Sequence, residues 1–375
     1  MNTRLFNEEL INKTKEERVK FFKNFTVSHP LMKETLKELL EEIYGGSQNI
    51  IMVVGPSGVG KSRLFYATLR SVINDMAEEL KKDESIIPIT GLELPNPDLG
   101  KFNWKDFYDR VLTSLKEPLI EYKIDTDMLN TKKSQKVYRR TVTTAAALRR
   151  SVENAFYHRK CKAILIDEAQ HFFSLNERRF GNSEINQRQF NSIKSLANMS
   201  KVKIVLFGTY DLNAVFNLDG QLSRRVKEIH FPRYRFEIEE DQDNFYSIVS
   251  TFQVLLPLKK EPKLTDYFEY LYESCIGCTG ILKDWLQRCL IEAIDNNEET
   301  ITLKNLKKNA LQTKKLITLA NEAIDGEYAF KYNAGESAEL KDILGIEKSK
   351  PTSKPKGNPS PGKRKPHRDR IGEIK

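Results

Sequence analysis

Gly55-Pro56-Ser57-Gly58-Val59-Gly60-Lys61-Ser62 is the stretch that decides the fold. An apolar run, Asn49–Val54, precedes it, and the amphipathic segment RLFYATLRSVI follows it. The octapeptide satisfies G-x-x-x-x-G-K-[ST] in the context that gives the motif meaning, namely strand, glycine loop and helix. Glycines let backbone N–H groups turn inward around a diphosphate, and the helix N-terminus adds the positive end of its dipole. In such a loop Lys61 reaches the outer phosphates and the Ser62 hydroxyl ligates Mg²⁺. Gly55 through Ser62 are therefore candidate nucleotide ligands, with Ser62 also a metal ligand.

Working outward, other short apolar runs alternate with helical stretches: Ile86–Leu94, Lys162–Ile166, Val202–Phe207 and Val226–Phe231. Strands buried on both faces read this way, which predicts an α/β protein with a parallel sheet. The third run ends in Asp167-Glu168-Ala169-Gln170-His171. Asp167, at a strand's C-terminal end, can hold the Mg²⁺ shell, and Glu168 can polarise a water for in-line attack on a terminal phosphate. The absence of an Asn-Lys-x-Asp segment points to ATP rather than GTP. The expected cofactors are ATP and Mg²⁺.

Before the first strand, Leu31, Leu36, Leu39, Leu40 and Ile43 recur at helical spacing, and Phe21, Phe22 and Phe25 suggest a helix packed on the main domain. After Pro232 the pattern turns helical over Asp243–Leu258, Leu264–Glu273, Gly280–Asn296 and Leu303–Ala323. These features divide the chain into a helical lead-in (1–48), a phosphate-loop core (49–235), an all-α lid (236–345) and a tail (346–375). Charge separates the tail. It carries ten Lys/Arg against three Asp/Glu, most of the chain's net +9, with five prolines and no aromatic residue. Such a segment cannot bury enough surface to offset chain entropy and reads as disordered.

No apolar run approaches the roughly 18 residues of a membrane span, and the charged N-terminus does not read as a signal peptide. Four cysteines in 375 residues argue for a reducing compartment. Together these predict a cytoplasmic protein without membrane contact, nucleoid-associated where the resemblance given below implies DNA binding. Cys275-Ile-Gly-Cys278 lacks a second pair, so neither zinc nor redox chemistry is expected there. His171 reads as a helix-start residue rather than a base.

GPSGVGKS, ILIDEAQH, IVLFGT and LSRR, in this order, resemble the AAA+ ATPases. More narrowly, residues 20–330 resemble the ATP-dependent regulators of DNA transposition, the TnsC/TniB group with MuB as a distant relative. The signs are the lead-in ending at Pro30, the compact motif spacing, the small helical lid and the basic tail. The resemblance implies that Thr209, where asparagine is commoner, senses the terminal phosphate. It implies that Arg224 or Arg225 acts as an arginine finger in a neighbouring subunit, and that Lys283 contacts phosphate from the lid.

The resemblance also implies that the basic segment TKKSQKVYRRTVTTAAALRR (131–150) follows a DNA backbone. Lys132, Lys133, Lys136, Arg139 and Arg140 become candidate phosphate contacts, helped by Thr141, Thr143 and Thr144, with Tyr138 as a stacking side chain. The implied protein is a Mg-dependent ATPase that assembles head-to-tail on duplex DNA without sequence preference, as a ring or helical filament. Its implied partners are a transposase and a target-selection protein. A replication initiator or helicase loader shares every nucleotide motif. A phosphate-loop switch that acts on proteins alone is the reading of another class, and the basic segment discriminates against it.

Overall fold

The computed structural model describes residues 4–97, 102–123, 144–173, 183–212, 225–328, 330 and 334–346. The chain divides into two compact units, residues 1–330 and 331–375.

The first unit opens with a helical lead-in: a 3₁₀ turn (Glu8–Asn12), α1 (Lys15–Asn24) and α2 (Pro30–Gly45). Thr14 and Glu17 close a reciprocal capping box at the start of α1, and Pro30 starts α2, where its missing N–H costs nothing. Then follow β1 (Ile50–Val54), α3 (Lys61–Asp75), α4 (Ala77–Lys82), β2 (Ile89–Glu93), α5 (Trp104–Ser114) and α6 (Ala145–His158). The core continues with β3 (Ala163–Asp167), α7 (Ser183–Ser200), β4 (Lys203–Gly208) and β5 (Val226–His230). The helical end of the unit holds α8 (Glu239–Leu255), α9 (Phe268–Cys275), α10 (Thr279–Asp295), α11 (Leu303–Asn309) and α12 (Thr313–Tyr328). In the second unit the described element is α13 (Ala334–Ile343).

The five strands form one parallel sheet in the order β2-β3-β4-β1-β5. The central strand is buried along its whole length because both faces are covered. Ile50, Met52 and Val54 enter the core made with α5, α6 and α7, whereas Ile51 and Val53 enter the core made with α2 and α3. This alternation within an unbroken apolar run is the signature of a doubly covered strand. Every expected strand is present. The phosphate-loop core is thus a parallel α/β sheet, and the C-terminal region is helical.

Two expectations need correction. The aromatic cluster of the lead-in does not pack on the sheet. Phe22 is buried among Phe245, Ile248, Val249 and Phe252 of the C-terminal helices, with its ring 5.9 Å from that of Phe252. Arg18 donates to the Pro257 carbonyl, and Lys15 pairs with Asp295 at 2.6 Å. The lead-in thus lays α1 on the lid and α2 on the sheet. The second correction concerns Leu303–Ala323, which is two helices rather than one. Trp285 Nε1 donates to the Leu306 carbonyl and Arg288 to the Asn309 carbonyl, so side chains satisfy acceptors that a continuous helix would use internally. The backbone is extended at Ala310, and α12 begins three residues later.

The basic tail from residue 347 lies outside the described residues. Among the described residues, no helix is long and apolar enough to cross a membrane.

Because Phe22 is 1% exposed inside the lid's own core, Phe22→Ala should destabilise the protein by about 3 kcal/mol. Urea unfolding should show this as a lower midpoint at unchanged slope.

Candidate nucleotide site

The loop after β1 is shaped by close backbone approaches. Gly58 (φ +78°) and Gly60 (φ +117°) occupy the left-handed region, where a side chain would be strained. At Gly55 a Cβ would stand 2.1 Å from the Phe231 carbonyl oxygen, so only glycine fits between β1 and the end of β5. Lys61 Nζ donates to the carbonyls of Gly55 (2.9 Å) and Pro56 (2.8 Å). Burial pulls its ammonium down to about 8, with Glu168 and Asp167 opposing the shift. Two neutral acceptors hold a nearly desolvated cation there, and an anionic oxygen would hold it better.

Ser62 Oγ donates to Asp167 Oδ2 at 2.9 Å, so the first turn of α3 meets the end of β3. Asp167 is 7% exposed, and desolvation raises its carboxyl above the ordinary range against the pull of the Ser62 hydrogen bond. A hydroxyl beside a carboxylate is a hard oxygen donor set of the kind Mg²⁺ takes, and a bound cation would offset the desolvation that Asp167 bears. Glu168 sits at φ +55°, a conformation non-glycine residues rarely adopt, and its N–H donates to Asp167 Oδ1 at 3.0 Å. Thr209, just past β4, is half-buried, with its hydroxyl donating to Asp211 Oδ2 at 3.3 Å.

The lid meets the loop through backbone. The N–H groups of Gly280 (2.9 Å) and Ile281 (3.2 Å) both donate to the Gly58 carbonyl, and Thr279 Oγ1 donates to the Val59 carbonyl at 2.9 Å. A Cβ on Gly280 would lie 2.5 Å from the Gly58 oxygen. Lys283, one turn further along α10, donates to the carbonyls of Lys23 (2.8 Å) and Phe25. Burial lowers its ammonium to about 8, and nearby Arg63 adds to the shift. In this structure the lid lysine therefore ties α10 to the lead-in.

Lead-in, loop and lid together enclose a narrow cleft beside Gly60, walled by Thr26, Val27, His29, Met32, Phe231 and Phe252. His29 bonds Tyr234 through Nδ1 at 2.9 Å and stacks toward Phe231, and burial depresses its pKa to about 4. The imidazole is therefore neutral, and the cations Arg63 and Lys283 also line this cleft. Sequence reasoning missed Thr26–His29, Thr279 and Gly280. For Gly280 the signal was there, in the second glycine of Gly277-Cys-Thr-Gly280.

Arg225 is described, half-buried at the start of β5, whereas Arg224 lies outside the described residues. Lys132, Lys133, Lys136, Tyr138, Arg139, Arg140, Thr141 and Thr143 also lie outside them. Thr144 is described, and its hydroxyl caps α6 by accepting from the Ala147 N–H at 3.1 Å. Cys275 and Cys278 are both buried; burial pushes both thiols up, that of Cys278 to about 12. His171 lies in the 3₁₀ turn that follows Glu168.

Gly280→Ala should force α10 off the loop and cost about 2 kcal/mol, read as a lower melting temperature. Gly45→Ala provides the contrast. A Cβ there meets nothing within 4 Å, and alanine should stabilise α2 by about 0.5 kcal/mol.

No curated protein matches the chain by sequence. Among solved structures, the Aeropyrum pernix ORC1 protein in complex with DNA aligns at a TM-score of 0.50 and 13% identity, over 78% of this chain and 68% of that one. The Aeropyrum pernix ORC2 protein in its ADPNP–ADP complexes aligns at 0.48 and 13%, over 80% and 73%. Drosophila ORC bound to DNA aligns at 0.44 and 13%, over 93% and 87%. The family model of the AAA domain matches residues 25–216, just over half of the chain and all of the loop, acid-pair and Thr209 positions described above. The chain belongs to the AAA domain family.

Proposed function

We propose that the protein is a Mg²⁺-dependent ATPase that works on duplex DNA as an assembly of its own copies. The 2.9 Å contact between Ser62 and Asp167 carries the nucleotide half of this reading, because it joins the two halves of a cation site across the sheet. In it, Lys61 exchanges its two carbonyl partners for phosphate oxygens, and the backbone N–H groups of 55–62 cradle the inner phosphates. Ser62 and, through water, Asp167 would hold Mg²⁺, which would supply Lewis-acid stabilisation of charge on the terminal phosphate. Glu168 takes the proton of the attacking water, and Thr209 orients that water. The cleft lined by Thr26–His29 and Phe231 receives the base. Arg224 or Arg225 reaches the site of a neighbouring copy and neutralises charge as it develops.

The reading best supported for the biological task is that of a replication initiator or helicase loader. One solved structure of like fold, the Aeropyrum pernix ORC1 protein, is described in complex with DNA. In this chain Lys132, Lys133, Lys136, Arg139 and Arg140 would supply the phosphate contacts, without base reading. A second reading, an ATP-dependent regulator of transposition that recruits a transposase through a target-selection partner, rests on the order and spacing of GPSGVGKS, DEAQH, FGT and LSRR. Under either, Lys283 serves nucleotide affinity through the lead-in that walls the cleft, and the basic tail serves as an arm for partners.

Lys61→Ala should abolish nucleotide binding, measured by calorimetry. Glu168→Gln should bind ATP normally and hydrolyse it at least about 100-fold more slowly. Hydrolysis by Glu168→Gln at the parent rate would remove Glu168 from its role.

Duplex binding, followed by fluorescence anisotropy with ATP analogue, ADP or no nucleotide, should be tightest with the analogue. Replacing Lys132, Lys133 and Lys136 together should weaken it and flatten its salt dependence by about three phosphate contacts. Absence of duplex binding by the parent chain in every nucleotide state would favour the protein-only switch, and binding unchanged by the triple replacement would remove these lysines from the contact. Pull-down of a transposase rather than a helicase would decide for the second reading.

A further inference from the structure

Gln170 lies two residues beyond Glu168, in the 3₁₀ turn Ala169–Phe172. Its Nε2 donates to Glu168 Oε2. Its Oε1 is buried and has no hydrogen-bond partner among the described residues. That oxygen rests against the last residue of β4: a Cβ built on Gly208 would stand 2.8 Å from it. The amide therefore spans the gap between the acid after β3 and the strand end that carries Thr209.

A buried amide oxygen without a donor bears an uncompensated desolvation cost, and folded proteins seldom leave one so. The cost is offset when a donor arrives. Its place between Glu168 and the residue preceding Thr209 makes the missing donor a water molecule of the reaction. Because one end of the amide is fixed on the carboxylate, its other end holds a definite position.

We propose that Gln170 is a second water-orienting residue of the hydrolytic site, a proposal that rests on the ATPase reading above. Nε2 fixes the Glu168 carboxylate, and Oε1 accepts a hydrogen bond from the attacking water. With one hydrogen on Gln170 and the other on Glu168, the water's lone pair faces the terminal phosphorus. The water oxygen forms the new P–O bond, and the bridging P–O bond breaks with its electron pair passing to the diphosphate. The proton passes to Glu168, and Gln170 exchanges none. The side chain must donate at one end and accept at the other, which an amide does and a carboxylate does not. Gly208 is the enabling neighbour, because any larger residue would displace the amide.

The test compares Gln170→Ala and Gln170→Met with the parent full-length chain. Methionine keeps the volume and removes both hydrogen bonds. The expected result is an unchanged melting temperature, KM and affinity for a non-hydrolysable ATP analogue within about twofold, with kcat reduced about 30-fold in both variants. Binding of ADP with aluminium fluoride, followed by calorimetry, should weaken by a similar factor, because that complex reports transition-state complementarity without turnover. Two results would overturn the proposal: Gln170→Met matching the parent in both measurements, or a loss confined to KM and thermal stability. A parent that binds ATP without hydrolysing it would instead overturn the ATPase reading, and it would do so before any variant is compared.

Discussion

The hydrogen bond from Ser62 to Asp167 joins elements that are not neighbours in the sheet. β4 lies between β3 and β1, so the carboxylate at the end of one strand reaches the loop of the other across a third strand's end. This reach sets the local architecture. β4 must stop in something small, and it stops in Gly208, against which Leu212 and Gln170 both pack. Thr209 then emerges between the two halves of the site. The parallel sheet, buried on both faces, brings the C-terminal ends of its strands to one edge, where all of this chemistry collects.

What the sequence disclosed follows from where the controlling interactions are local. Ile50–Val54 and Ala163–Ile166 are unbroken apolar runs because both faces of the sheet are covered, so strand and motif could be read together. The glycine loop was legible because its conformation depends on its own residues, Gly58 and Gly60 above all. Lys283 shows the limit. The resemblance implied a phosphate contact for it, and here its ammonium holds the carbonyls of Lys23 and Phe25, some 260 positions away in sequence. Nothing in a helical periodicity announces such a pairing. Phe22 misled for the same reason: an apolar face shows that a helix is covered, not by what. The helix break at Ala310 depends on Trp285 and Arg288, again remote in sequence.

The lid is held in several ways that differ in chemistry. Toward the loop it uses backbone hydrogen bonds to Gly58 and Val59, short-ranged and intolerant of added volume. Toward the lead-in it uses aromatic packing around Phe22 and the buried ammonium of Lys283. Toward the end of the sheet it uses a buried ion pair, Arg233 with Glu327 of α12 at 3.0 Å, beside the stacked rings of His230 and Phe330. A buried pair of this kind contributes little net stability but is costly to break, so it specifies an arrangement more than it strengthens one.

The lead-in has a mechanical consequence. With α1 fastened to the C-terminal helices and α2 to the sheet, the four residues Thr26–His29 link two parts of one compact unit, and Thr26, Val27 and His29 also wall the cleft. Pro232–Ile238 forms the other covalent link. Any rotation of lid against sheet must be absorbed as dihedral change in these two short segments, so a molecule wedged against the first works like a thumb on a hinge pin. A ligand in the cleft would bear on that link and on Lys283, whose ammonium ties α10 to the carbonyls of Lys23 and Phe25.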